Sequence, residues 1–256
     1  MPTTLKKTFL FFFISLLFFS CQEKKYTNTK ITSTLVSIDS TLDSNKAIAN
    51  TIAPYKKKML AEINTVLSYA PKDLIRTDGH LESSLGNLIA DLSYERVNPI
   101  FFKETGNNID FAMFNYGGIR AGISTGNVTN KNAFELMPFE NNYVVTLLSG
   151  KKINELIQYL IKSNTAHPLS KQVQLTLYKH SYDLKINHKL FQENKNYWVL
   201  TTNYLQSGGD NMLFFKAPLK MINIDYKMRH AIIDYFKSKD TLTSNLDGRF
   251  KRKENG

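Results

Sequence analysis

Apolar residues in this chain recur with two different periods, and the order in which the periods change is the strongest restriction on its fold. Leu85, Leu88, Ile89 and Leu92 fall at i, i+3, i+4 and i+7, the spacing of one helix face. Ile153, Leu156, Ile157, Leu160 and Ile161 repeat that spacing behind Ser149-Gly150, and Met228, Ile232, Tyr235 and Phe236 mark a last helix. Ile48, Ile52, Tyr55, Met59 and Ile63 form another stripe, with Lys56-Lys57-Lys58 mainly on its solvated face. Pro54 lies inside this stripe and predicts a kink or a helix start there. Period two appears at Val173, Leu175 and Leu177. Asp110 to Phe114 and Tyr197 to Thr202 also read as strands, and the looser alternation of Ile31 to Ile38 predicts one more. Helices and strands mix without a regular βαβ period, which favours an α+β fold over a doubly wound sheet.

Apolar residues make up 42% of the 256, enough for a sizeable core and too many for full-length disorder. Cys21 is the one cysteine, so neither a disulfide-stapled scaffold nor a zinc site on paired cysteines is available. Its position says more. Lys6-Lys7 precede an apolar run from Phe9 to Phe19, broken only by Ser15, and Ser20-Cys21 follow. This is the grammar of a secretory signal. The run is far short of the roughly 20 residues that span a bilayer. Phe18-Phe19-Ser20-Cys21 resembles a loose bacterial lipobox, with Phe18 where Leu is usual. The expected organisation is a lipoprotein signal over 1–21, a polar tether over 22–29, one domain over 30–251 and a basic tail over 252–256. A lipidated Cys21 would hold an exported protein to the cell envelope, on a periplasmic or outer-membrane face.

The chain carries 33 Lys+Arg against 22 Asp+Glu, a net charge of +11. Two of those lysines leave with the signal, and the rest are scattered along the chain, so no nucleic-acid partner is expected. His80, His167, His180, His188 and His230 form no HExxH and sit in no Asp-x-His or Asn-His-Glu setting. There is no GxSxG and no P-loop. No catalytic residue and no metal ligand is assigned.

Three polar corners remain. Asn115-Tyr-Gly-Gly-Ile-Arg120 ends a strand in two glycines, Gly117 and Gly118, whose backbone allows an anion or ligand close approach. Arg120 there supplies a forked donor. Met137-Pro138-Phe139-Glu140-Asn141-Asn142 breaks a short helical stretch. Tyr204-Leu-Gln-Ser-Gly208-Gly209-Asp210 follows the strand ending at Thr202, and Asp210 either accepts hydrogen bonds from sugar hydroxyls or caps a helix.

Taken in order with Glu82-Ser-Ser-Leu-Gly-Asn-Leu-Ile-Ala-Asp91, Leu148-Ser-Gly150 and Asp247-Gly-Arg-Phe250, these segments resemble the C-terminal domain of the 5′-nucleotidase/UDP-sugar hydrolase family. The resemblance covers roughly residues 30–250. It implies a four-layer α/β/β/α domain that holds the nucleoside part of a substrate. Phe139 and Tyr204 match two aromatics that sandwich the base, Tyr204 replacing the family's common Phe. Asn115 matches a residue that hydrogen-bonds the base, Asp210 the carboxylate that binds the ribose hydroxyls, and Arg120 an arginine on the phosphate side.

Two departures stand out. Gly79 occupies a position, three before Glu82, where the family often has arginine; Arg76 lies three residues further back. The family's metal-binding N-terminal phosphatase motifs are also missing. The implied function is nucleotide or nucleoside binding in nucleotide catabolism, with the divalent metals held by a separate metallophosphatase chain and no cofactor here. The alternative is a binding-only envelope scavenger or sensor of nucleotides or nucleosides.

Overall fold

A computed structural model describes residues 26–253. Cys21, the signal and the end of the basic tail lie outside the described residues. The chain's contacts divide into two units, one up to Asn50 and one from Thr51 onward.

In the first unit the strand expected over Ile31 to Ile38 does not form: that stretch has no regular structure, and Ile31, Leu35, Val36 and Ile38 are exposed. Alternation makes a strand only where a neighbour completes the ladder, and none pairs here. Helix α1, Lys46–Ile63, starts in the first unit and ends in the second; it begins well before Pro54 and continues through it. Asn45 caps its start by accepting from the amide of Ala47 at 3.0 Å. None of its residues is buried.

The second unit is α+β and contains the layered core. Its elements are β1 (Val66–Ala70), α2 (Ser84–Thr105), β2 (Phe111–Ala112), β3 (Gly126–Thr129), α3 (Asn130–Leu136), β4 (Asn142–Ser149) and α4 (Gly150–Ser163). There follow β5 (Val173–Leu177), β6 (Tyr182–Ile186), β7 (Lys189–Leu190), β8 (Asn196–Thr202), α5 (Asn203–Gln206), β9 (Lys220–Lys227), α6 (Met228–Lys237) and β10 (Phe250–Arg252). One four-stranded sheet has the order β2-β8-β4-β9, a second the order β10-β5-β6-β7, and β1 pairs with β3. Helices α2 and α6 pack on each other and against the first sheet, through β2 and β9. Helix α4 sends Ile153, Leu156, Ile157 and Leu160 against Phe111 of the first sheet and Val173, Leu184 and Ile186 of the second.

The helices expected from 3–4 spacing all form. Ser83 caps α2 by accepting from the amide of Gly86 at 3.0 Å, and Ser149 caps α4. The two most separated motifs of the sequence turn out to hold each other. Arg249 is buried and donates to both carboxylate oxygens of Asp91, to both of Asp247 and to the carbonyl of Leu169, so its five N–H groups are all used. Glu82 accepts from the side chain of Asn87 and from the amides of Asp247 and Gly248. The Glu82–Asp91 helix start and the Asp247-Gly-Arg segment are thus one latch.

Candidate functional site

Sheet topology assembles the site. Strands β2 and β8 run parallel, and β4 runs antiparallel to β8 with Tyr143 opposite Thr202. The carboxyl ends of β2 and β8 and the amino start of β4 therefore lie at one edge of the sheet. The three polar corners leave from that edge: Asn115 to Arg120 after β2, Phe139 to Asn141 before β4, and Tyr204 to Asp210 after β8.

Asn115, Gly117, Gly118, Arg120, Phe139, Tyr204 and Asp210 line one cavity of about 260 Å³, together with Asn141. Asn141 was not among the residues assigned from sequence; an asparagine beside two other polar residues carries no signal of its own. Gly208 and Gly209 do not line the cavity. Gly208 turns the chain at φ +98°, and Gly209 lets the Tyr204 ring lie against the backbone, where an added Cβ would fall 2.5 Å from the ring.

A network of polar contacts joins the corners. The Asp210 carboxylate accepts from the Asn115 side-chain amide and from the Tyr204 hydroxyl, both at 2.7 Å. The bond to Asp210 raises the Tyr204 phenol above its ordinary pKa. Asp210 itself takes the left-handed conformation, φ +52°, and its carbonyl accepts from the Tyr159 hydroxyl at 2.9 Å. Gly118 leaves room for the Asn115 amide, since a Cβ there would stand 2.7 Å from its oxygen. The Asn115 amide is thus engaged with Asp210, the residue expected to bind the sugar.

The residues behind the site fix its loops. His167 is buried beside the Tyr159 ring, with centroids 5.4 Å apart, and its Nδ1 accepts from the amide of Tyr116 at 3.1 Å. Burial pushes the imidazole down to about 4, against an opposing pull from Asp210, so the ring is neutral at physiological pH. Arg229, also buried, donates to the carbonyls of Met137 and Phe139 and pairs with Glu140, which holds the Phe139 loop. None of these supports was assigned from sequence.

The expected departure at Gly79 has a steric cause. A Cβ at that position would stand 2.3 Å from the carbonyl oxygen of Glu82, so no arginine fits this backbone. Arg76 is engaged with the turn after β2: its Nη1 donates to the carbonyls of Ile119 (2.6 Å) and Tyr116 (3.3 Å), and its guanidinium lies 4.5 Å from the centre of the Tyr116 ring. Among the described residues no group of three or more His, Cys, Asp or Glu side chains could hold a metal ion. None of the described helices is long and apolar enough to cross a membrane.

Comparison with known proteins places this arrangement. A 5′-nucleotidase-related protein of Glossina morsitans morsitans is 21% identical over 240 residues, covering 84% of this chain and 43% of that protein. Cell wall protein Lmo0130 of Listeria monocytogenes is 26% identical over 222 residues, covering 76% of this chain and 28% of its own length. The chain therefore spans less than half the length of these relatives. Among solved structures, the 5′-nucleotidase precursor of Thermus thermophilus superposes with a TM-score of 0.64 at 21% identity, over 81% of this chain and 43% of that one. The family model described as 5′-nucleotidase, C-terminal domain, matches residues 64–217, which include every residue of the cavity, and the chain belongs to that family.

Proposed function

We propose that this chain is the nucleotide-binding half of a 5′-nucleotidase-type phosphohydrolase, acting in nucleotide catabolism with the hydrolytic metals carried by a separate metallophosphatase chain. The observation that carries the reading is one cavity in which two aromatics, two amides and a carboxylate converge from three corners of one sheet edge. Its 260 Å³ lies just below the range of about 300–1,000 Å³ typical of small-molecule sites, suited to a nucleoside. In this reading Phe139 and Tyr204 stack the base. The carboxylate of Asp210, which offers about four lone-pair sites and has two in use, accepts from the ribose hydroxyls. Asn141 and Asn115 supply amides at the rim, and Arg120 the charge nearest the phosphate. The leader ending at Cys21 and the likeness to a protein named for the cell wall support an envelope location, with the lipid on Cys21 as anchor.

The test is a phosphatase assay on the purified chain with AMP and Mn²⁺ or Zn²⁺, alone and with metallophosphatases that co-purify with it. No turnover alone and turnover in the pair are expected. Hydrolysis by the chain alone, surviving removal of contaminants, would overturn the two-chain arrangement. Nucleotide binding without any co-purifying phosphatase would favour a scavenger or sensor.

A further inference from the structure

Among the described residues, the charges that line the cavity are Arg120 and Asp210, one of each sign, so they cancel. Arg120 is exposed and already engaged: its Nη1 donates to the carbonyl of Gly117 at 3.3 Å, and its guanidinium lies 5.9 Å from the centre of the Phe139 ring. A second guanidinium, Arg76, lies beneath the turn rather than in the cavity, where it donates to two carbonyls and stacks on Tyr116. Gly79 offers no alternative, because the carbonyl of Glu82 leaves no room for a side chain. By contrast, the groups for sugar and base are already in place: Asp210 is oriented by two hydrogen bonds and Tyr204 is seated on Gly209.

From this imbalance we infer that the cavity selects the nucleoside moiety and is nearly indifferent to a 5′-phosphate, so that adenosine and AMP compete for it on almost equal terms. The inference rests on reading the cavity as the nucleoside site. A phosphate entering it meets one solvent-exposed cation, an interaction that changes affinity by no more than about fivefold and is screened by salt. It also meets the negative charge of Asp210, which opposes it. A paired-guanidinium clamp, which would make phosphate the dominant handle, is not formed by Arg76 and Arg120 as they stand. If such a chain serves a hydrolase, product nucleoside and substrate nucleotide would be held alike, and release would be governed by the sugar and base contacts.

The measurement is calorimetric titration of the full chain with adenosine, AMP and ribose 5-phosphate at 50 and 500 mM salt. Adenosine and AMP are expected to bind within about fivefold of each other at low salt and to converge at high salt, with no detectable binding of ribose 5-phosphate. Arg120→Ala is expected to remove what preference for AMP exists, bringing the ratio of AMP to adenosine affinity to about one. AMP binding tenfold or more above adenosine would overturn the inference while leaving the nucleotide site standing. Loss of that preference in Arg76→Ala would then assign the phosphate to Arg76. If neither adenosine nor AMP binds, or if Phe139→Ala binds both as well as wild type, the cavity itself has been misread and the inference falls with it.

Discussion

Phe139 and Tyr204 are each about two-fifths exposed, 41% and 43%, and both border the cavity. An aromatic left half in water and bordering a cavity has an unspent face. Stacking a base on such a face is worth about 1–3 kcal/mol in single-strand binders. Phe139→Ala is therefore expected to weaken nucleoside binding by about 1–3 kcal/mol, read by calorimetry, with little change in melting temperature because the ring is not part of the core. Tyr204→Phe separates the ring from the hydroxyl. It keeps the stack and removes one donor to Asp210, an exposed contact expected to count for about 1 kcal/mol. A loss as large as that of Phe139→Ala would mean that the hydroxyl, and not the ring, is the functional part of Tyr204. The residues themselves were legible in the sequence because each sits in a corner of glycine and polar residues. Their mutual bonds were not: Asn115 and Asp210 are 95 positions apart, and only the pairing of β2 with β8 brings them together. His167 was unreadable for a related reason, since a lone histidine before Pro168 carries no pattern and acquires its role by being packed behind the Tyr116 amide.

Among the elements, those with many residues in one periodic stripe were readable. Helices α2, α4 and α6 each present several apolar residues to the core, and the sum over about three to six turns outweighs any single misfit, including Pro99 inside α2. Alternation over Ile31 to Ile38 failed because a strand is defined by its partner as well as by its own sequence, and no strand pairs with that stretch. Strands β6 and β9 alternate no less regularly, Tyr182, Leu184 and Ile186 against Asp183 and Lys185, and Ile222, Ile224 and Tyr226 against Asn223 and Asp225, and were not assigned from sequence. Each has the partner that the first stretch lacks, with Leu184 opposite Leu175 and Ile222 opposite Val145. The latch around Arg249 is the element-scale feature with the clearest consequence. Removing one partner of a buried charge cluster costs about 3–5 kcal/mol, because the opposite charges are left uncompensated. Here Asp91 and Asp247 keep some access to water, with side-chain exposures of 29% and 45%, so Arg249→Met is expected at the low end, about 3 kcal/mol by urea unfolding. Asp247→Asn leaves Arg249 paired with Asp91 and should cost less. Equal losses from the two substitutions would show that the cluster does not centre on Arg249.

For the whole molecule, the buried titratable groups set how stability responds to pH. His167 is held neutral by burial, with its folded pKa near 4 against an unfolded value of about 6.5. Between those two values the unfolded chain binds more protons than the folded one, so stability falls as pH falls, by up to about 1.4 kcal/mol per pH unit from this group. Asp247 acts in the same direction at lower pH. Burial raises it, but the bonds and charge of Arg249 outweigh that and leave it below its ordinary value, so its contribution is present above about pH 4 and lost beneath it. Asp110 opposes both: burial raises it, only partly offset by the amide of Trp198, so its protonation favours the folded state as pH drops. The expected profile is a decline in the urea midpoint from about pH 7 toward about pH 4.5, shallower than His167 alone would give. His167→Asn isolates the histidine's share, because an amide oxygen can replace Nδ1 as acceptor for Tyr116 without titrating. That variant should show a flatter profile over the same interval while still binding adenosine at neutral pH. Parallel profiles for the variant and the wild type would mean that His167 is not the group that couples protons to this fold.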